Sequence, residues 1–202
     1  MATQIKINYK EYPEFMFAMI SAYLPAREGH LLRVLAGSVE FKSEDSTGNT
    51  YKNGLLHSYD DNPAFTDDLN RKVWYKNGDI HRDGDKPALI GNKEQHWYKE
   101  GLLHRDDDKP AVIDGHYSGW FRNGLRHRSG GKPAIVDRSI LSWYENGCLH
   151  REDDKPAVII TNGSSQWYYR GMRHRAGDNP AIIERTSLEW WVYDELISSV
   201  DI

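Results

Sequence analysis

Six histidines in this 202-residue sequence recur at a nearly constant spacing. Histidine is the commonest metal ligand among side chains and the one that exchanges protons near neutral pH, so its regular recurrence raises the question of a metal or proton-transfer site. The six are His57, His81, His104, His127, His150 and His174. Whether they can do such chemistry depends on the elements that hold them, and these follow from the pattern around each histidine.

The histidines belong to a sequence repeat whose period is 23 or 24 residues. Each unit carries Gly four residues, His seven residues and Pro-Ala thirteen residues after its first residue, which is counted here as position zero. The first unit begins at Thr50, and five further units begin at a tryptophan. These tryptophans are Trp74, Trp97, Trp120, Trp143 and Trp167. Such self-similarity is the signature of a repeat architecture, and the period is too short for repeats built from helix pairs.

Each unit predicts a β-hairpin. Positions three and four are Asn-Gly in most units, as at 77–78, which is the strongest short-range hairpin signal. With the turn there, Trp97 faces His104 and Tyr98 faces Leu103. The residues after Pro-Ala are β-branched and predict a further short strand. We therefore predict an all-β fold in which stacked hairpins form one elongated antiparallel sheet, a solenoid-like rod.

The predicted register argues against a metal centre. Equivalent residues of successive units lie two strands apart, about 10 Å, so neighbouring histidines cannot share one ion. We expect the rings to form a structural ladder, with no metal and no cofactor. The predicted ladder comprises Trp74, Trp97, Trp120, Trp143 and Trp167, with His81, His104, His127, His150 and His174.

An arginine follows five of these histidines, and an aspartate lies three residues further in most units. We interpret the Arg–Asp pairs as braces of a bulge, with partner recognition as the alternative. In the predicted register Arg105 lies beside Tyr98, on the face opposite the ladder. The unit that begins at Trp120 has Gly131 in place of the aspartate. That tolerance favours bracing over catalysis, and since no nucleophile–base pair or phosphate loop occurs, we do not expect an enzyme.

The chain divides into three parts. Residues 1–36 predict a capping strand and a short amphipathic helix over 13–24, with Phe15, Met16 and Met19 on one face. Residues 37–189 hold the six units and an entering half unit. Residues 190–202 supply a capping strand, expected to lack a hairpin partner, and a tail. The apolar face of the N-terminal cap is a candidate for docking or for self-association into a homo-oligomer.

Composition and charge exclude several classes of protein. The net charge is −4, so we do not expect a nucleic-acid binder or a protein that binds anionic membranes. The single cysteine, Cys148, excludes an intrachain disulfide and is expected to be a packing residue. Without an apolar run of about 18 residues or a signal peptide, we predict a cytoplasmic protein.

The stretch Tyr-Lys-Asn-Gly-Leu-Leu-His at 51–57 resembles the MORN repeat, whose core is aromatic-x-Asn-Gly-x-x-His. The units then depart from it, since MORN continues His-Gly-x-Gly and this chain has His-Arg-x-x-Asp-x-Pro-Ala. The fuller pattern is similar to MORN-like repeats in bacteriophage and large DNA virus proteins, over about residues 37–193. The resemblance implies a stack of hairpins that serves as a scaffold or docking surface.

The expected function is a non-enzymatic protein-interaction module. By analogy with the viral repeats, its partner would be a host factor, such as a defence enzyme that it blocks. The alternatives are a small-molecule or glycan binder, with Arg105 as its candidate residue, and a virion structural component. Because a repeat keeps its consensus for packing, specificity is expected where units differ. The candidate partner-binding residues are Lys93 and Arg138 in the turns between units, with Phe15, Met16 and Met19 in the cap.

Overall fold

A computed structural model describes residues 42–202, and this part of the chain is all-β, as predicted. It contains no helix, and therefore none long and apolar enough to cross a membrane. The N-terminal cap, with Phe15, Met16 and Met19, lies outside the described residues, as does the start of the entering half unit. Most of the described strands are short. They form two rows, of which one is a long antiparallel sheet and the other is a series of separate hairpins.

The long sheet has 13 antiparallel strands. Each unit contributes the strand after its Pro-Ala, and a second strand that runs up to the next tryptophan. The strands are β4 (Phe65–Thr66), β5 (Lys72–Val73), β8 (Leu89–Ile90), β9 (Glu94–His96), β12 (Val112–Asp114), β13 (Tyr117–Gly119), β16 (Ile135–Val136), β17 (Ile140–Ser142), β20 (Val158–Ile160), β21 (Ser165–Gln166), β24 (Ile182–Ile183), β25 (Ser187–Val192) and β26 (Glu195–Asp201). At the usual spacing between strands the sheet extends over about 60 Å.

The Asn-Gly turns form the second row, here called the hairpin row. Its members are β1 (Lys42–Glu44), β2 (Thr50–Lys52) and β3 (Leu55–Leu56), then the pairs β6 (Tyr75–Lys76) and β7 (Asp79–Ile80), β10 (Tyr98–Lys99) and β11 (Leu102–Leu103), β14 (Phe121–Arg122) and β15 (Leu125–Arg126), β18 (Tyr144–Glu145) and β19 (Cys148–Leu149), and β22 (Tyr168–Tyr169) and β23 (Met172–Arg173). Both turn residues have positive φ, as at Asn77 (53°) and Gly78 (94°), which the type I′ turn requires.

The predicted hairpin register is confirmed. Tyr98 pairs with Leu103, and the His104 N–H donates to the Trp97 carbonyl at 3.0 Å. The prediction that these hairpins build the one long sheet was wrong. The chain leaves the hairpin after His104. Pro110 has no N–H to donate to a strand ladder, and backbone pairing resumes at Ala111, whose N–H donates to the Gly119 carbonyl in the long sheet.

Successive hairpins are joined through their turns. The Gly101 N–H donates to the Ile80 carbonyl of the preceding hairpin at 3.0 Å, and the Glu100 N–H donates to Nδ1 of His81 at 3.0 Å. The same pair of bonds recurs at the next hairpins, to His104, His127 and, at 3.4 Å, His150. The hairpin row is therefore a continuous stack in which every repeated histidine except His174 binds the next turn.

The core is a narrow line between the two rows. The alanine of every Pro-Ala is completely buried, and tryptophan and β-branched side chains flank it. Trp74, Trp97, Trp143 and Trp167 are 5–9% exposed, while Trp120 is half-buried. Complete burial of this alanine in every unit ties its small size to packing, because a larger side chain in a close-packed core has to displace its neighbours.

The C-terminal strand has a hairpin partner, contrary to the prediction. β25 pairs with β26 along its whole length, with a bulge between Trp190 and Trp191. The turn at Tyr193-Asp194 takes positive φ, and its Asp194 N–H donates to the Arg173 carbonyl as the glycines do in earlier units. No Pro follows to interrupt the returning strand, so one long hairpin closes both rows.

Candidate functional site

An arginine clamp links each unit to the one before it. The guanidinium of Arg105 lies 3.6 Å above the ring centre of Trp97 in its own unit. Its Nε and Nη2 donate to both carboxylate oxygens of Asp85 in the preceding unit, at 2.6 and 3.2 Å. Nη1 donates to the Pro110 carbonyl at 3.1 Å, and Lys109 donates to the same Asp85 carboxylate at 2.8 Å. This side chain thus uses stacking, charge and hydrogen bonds at once.

The clamp recurs at other junctions between units. The equivalent pairs are Arg82 with Asp61, Arg128 with Asp108, and Arg175 with Asp154. Hydrogen bonds from the arginine, and in most clamps from a lysine, hold the pKa of each aspartate below its ordinary value. Tryptophan takes part as well, since Trp143 Nε1 donates to the Gly131 carbonyl of the preceding unit at 2.8 Å. Trp97 Nε1 is the exception within residues 42–202, because it is buried without an acceptor.

The clamp corrects two details of the sequence interpretation. Arg105 lies over Trp97 and not beside Tyr98. The Arg–Asp pairs join neighbouring units, because the aspartate comes from the preceding unit, rather than bracing a bulge within one unit. The sequence does contain the signal for this, because an arginine and the aspartate of the preceding unit are 20 or 21 residues apart at every clamp.

Four ladder histidines, His81, His104, His127 and His150, have hydrogen-bond partners on both ring nitrogens, whereas Nδ1 of His174 is buried without one in the part of the chain that the structure describes. While Nδ1 of His81 and His104 binds the next turn, Nε2 lies 2.9 and 3.0 Å from Asp83 and Asp106. The unit that begins at Trp143 differs, because it brings Glu145, His150 and Glu152 together with one ligand atom each inside 4.8 Å. These three side chains are the group of the described residues that could hold a metal ion. Other units have Lys, Arg or Tyr in the place of Glu145, so the arrangement is not part of the repeat.

Open clefts run between consecutive units on the side of the clamps. Three of them have volumes of about 360, 300 and 400 Å³, in chain order. The last is lined by clamp residues Arg105, Asp108 and Arg128, and by Phe121 and Arg122 from the hairpin above. The clefts connect the clamps to the outer surface of the hairpin row.

That outer surface was not anticipated from the sequence. Positions two and five of the second to sixth hairpins pair across the two strands and are exposed, and they vary from unit to unit. We call these residues the outer hairpin face. It consists of Lys76, Asp79, Lys99, Leu102, Arg122, Leu125, Glu145, Cys148, Tyr169 and Met172, all exposed. Leu102 and Leu125 are 49% and 51% exposed and lie at the same position of consecutive hairpins.

Cys148 belongs to this face. It was expected to be a packing residue, but it is exposed. Its side chain does lie beside the next turn, with Sγ 3.8 Å from where a Cβ on Gly171 would stand. The earlier leucines contact the following glycine in the same way, so position five both covers a turn and faces solvent.

The predicted turn residues lie on the opposite edge, where the long-sheet strands turn. Lys93 and Arg138 are both exposed. The backbone carbonyl of Lys93 accepts from Gly115 N–H at 3.1 Å, and the Arg138 guanidinium binds the His116 ring. The structure does not bring them together with Arg105, which is 15% exposed within its clamp.

Charge is unevenly distributed along this framework. No Asp or Glu occurs between Asp114 and Asp137, although the whole chain carries 30 acidic residues and a net charge of −4. In this stretch Arg122 and Arg126 are exposed and form no ion pair within the described residues. Arg126 lies 5.7 Å from the Phe121 ring centre and 5.5 Å from that of Tyr144. The fourth unit is thus a basic patch on an acidic protein.

Comparison with known proteins adds nothing to this geometry, because no family model, curated protein or solved structure matches the chain.

Proposed function

We propose that the protein is a non-enzymatic interaction module that binds an acidic, apolar segment of a protein partner on its outer hairpin face. The observation that carries the proposal is the pairing of exposed Leu102 and Leu125 with Lys99 and Arg122 on that face. The resemblance of the repeat to MORN-like repeats of phages and large viruses favours a host factor as the partner, such as a defence enzyme.

The division of labour within each unit supports the proposal. The repeated residues hold units together, since the Arg and Asp of the clamps and four of the five ladder histidines already have partners in neighbouring units. The residues that vary are the exposed ones at positions two and five. A framework that keeps its consensus for packing leaves such variable, exposed positions to recognise a ligand. Apolar side chains beside unpaired arginines suit a partner segment that combines apolar and acidic residues.

The same contacts weigh against glycan binding through the tryptophans. Stacking on a sugar needs an open ring face. The ring faces at Trp74, Trp97, Trp120, Trp143 and Trp167 each carry an arginine guanidinium 3.6–3.9 Å from the ring centre. Buried tryptophans under arginines are suited to joining units rather than to receiving a ligand.

The proposal can be tested with the protein's own cysteine. A photo-crosslinker attached to Cys148 lies on the outer hairpin face, and the protein it captures from a cell lysate can be identified and purified. Leu125→Asp should weaken binding of that purified partner at least about tenfold, because a charge replaces the central apolar contact. The fold should tolerate this change, since Asp79 occupies the same position in another unit.

Matched variants separate this surface from the other candidates. Charge reversal at Lys93 or Arg138, and deletion of residues 1–24, should leave the affinity unchanged. If the turn variants weaken binding and Leu125→Asp does not, the turn edge is the docking surface. If only the deletion abolishes binding, Phe15, Met16 and Met19 recognise the partner and the hairpin row is a spacer.

A further inference from the structure

One junction between units has a clamp without its acid. The arginine of the unit that begins at Trp143 is Arg151, and the aspartate that would face it is replaced by Gly131. Arg151 keeps the clamp geometry, with its guanidinium 3.6 Å from the Trp143 ring centre and Nη1 donating to the Pro156 carbonyl at 3.1 Å. Within residues 42–202, its Nε and Nη2 have no acceptor, whereas the same atoms of Arg82, Arg105, Arg128 and Arg175 bind a carboxylate.

The neighbouring lysine shows the same loss. Lys109 binds Asp85 of the preceding unit at 2.8 Å and lies 3.6 Å from Asp107 of its own unit. Lys155, its counterpart, instead binds Asp153 of its own unit at 3.0 Å. This junction therefore has two cationic side chains, Arg151 and Lys155, whose counterparts Arg105 and Lys109 bind one shared carboxylate.

The place of the missing carboxylate is open. Gly131 is exposed, and a Cβ built on it would meet no atom within 4 Å. Its φ is +67°, close to the 59°, 53° and 50° of the clamp aspartates Asp61, Asp108 and Asp154 in three of the four sister clamps. The backbone thus has the conformation that presents a carboxylate to the arginine, with nothing in the space. Burial without a facing acid also lowers the pKa of Arg151.

We propose that this slot, formed by Arg151, Lys155 and Gly131, binds a carboxylate group supplied by another molecule. Trp143 and Pro156 already hold the guanidinium group in place, so little side-chain entropy would be lost when a ligand binds. Bidentate geometry selects a planar carboxylate over a spherical anion such as chloride. The carboxylate can come from a small organic anion or from an Asp or Glu side chain of a protein. This proposal depends only on the contacts of the slot, and it is independent of the docking surface proposed above.

The test follows the side-chain Nε–H signals of arginine by NMR in the full-length protein. The probes are sodium acetate and the blocked peptide acetyl-Gly-Asp-Gly-amide, each against sodium chloride at equal ionic strength and pH. Both carboxylates should shift the Arg151 signal in a saturable way, and chloride should not. The Arg175 signal, whose clamp is filled by Asp154, should stay in place and serves as the internal control. Arg151→Lys identifies the signal by its loss.

Two glycine variants sharpen the experiment. Gly131→Asp supplies the carboxylate from within the chain and should weaken acetate binding at least about tenfold, since a tethered group competes at high effective concentration. Gly130→Asp places the same charge one residue earlier, where Asp107 and Asp153 stand in sister units, and should leave binding unchanged.

The arms of the titration also separate the two sources. A response to acetate alone assigns the slot to small anions, and a peptide that binds several-fold more tightly than acetate assigns it to protein side chains. The proposal is overturned if neither probe shifts Arg151 up to about 200 mM, or if Gly131→Asp responds as strongly as the wild type.

Discussion

Arg105→Ala and Arg151→Ala form a matched pair that measures what the acid adds to a clamp. Both arginines stack on a tryptophan and donate to a proline carbonyl, but Arg105 alone also binds an aspartate of the preceding unit. Cation–π stacking contributes about 1 kcal/mol, and the charged hydrogen bond to the carbonyl contributes a similar amount. The ion pair is bidentate but Asp85 is 45% exposed, so it adds roughly 0.5–1 kcal/mol.

We therefore expect Arg105→Ala to lower the free energy of unfolding by about 3 kcal/mol and Arg151→Ala by about 2 kcal/mol. Urea denaturation followed by tryptophan fluorescence measures both, and in thermal unfolding the difference of about 1 kcal/mol corresponds to about 2–4 °C. A double-mutant cycle of Arg105→Ala with Asp85→Ala isolates the pair itself.

Two results would refute this reasoning. Equal losses for the two arginines would mean that the carboxylate adds nothing to a clamp. A loss below about 0.5 kcal/mol for Arg105→Ala would mean that the side chain behaves as an ordinary surface residue, and Arg105 would again be a candidate for binding a ligand.

Three further predictions concern the framework. Trp143→Ala should cost about 3–5 kcal/mol in urea denaturation because it removes a buried ring that joins two units, and an unchanged midpoint would contradict its place in the core. The clamp aspartates have lowered folded-state pKa values, so their stabilisation is complete above the unfolded pKa of about 4 and is lost as pH falls below it. Denaturation from pH 7 to pH 2 should show that loss, with a smaller acid dependence in Asp108→Asn. Protein purified without a chelator or a His-tag should hold less than one metal ion per chain, since one histidine and two exposed glutamates leave a zinc site one ligand short. Stoichiometric zinc that disappears in Glu145→Lys would contradict this.

Much of the local structure followed from the amino-acid pattern. The Asn-Gly turns determine a hairpin with one register, because two adjacent residues of positive φ match the twist of the flanking strands, and Tyr98 pairs with Leu103 accordingly. These inferences needed only contacts within one unit.

What lies between units was decided by the tertiary structure. The break at Pro110 sends the chain into a second row, so the long sheet is built from the strands around Ala111 rather than from the Asn-Gly hairpins. That displacement brings Arg105 over Trp97 and next to an aspartate 20 residues earlier, and it exposes positions two and five. The sequence by itself determined the repeat, the turns and the pairing within each hairpin, because these depend on neighbouring residues. The clamps, the outer hairpin face and the empty place at Gly131 depend on how one unit rests on the next, and only the stacked fold decides that.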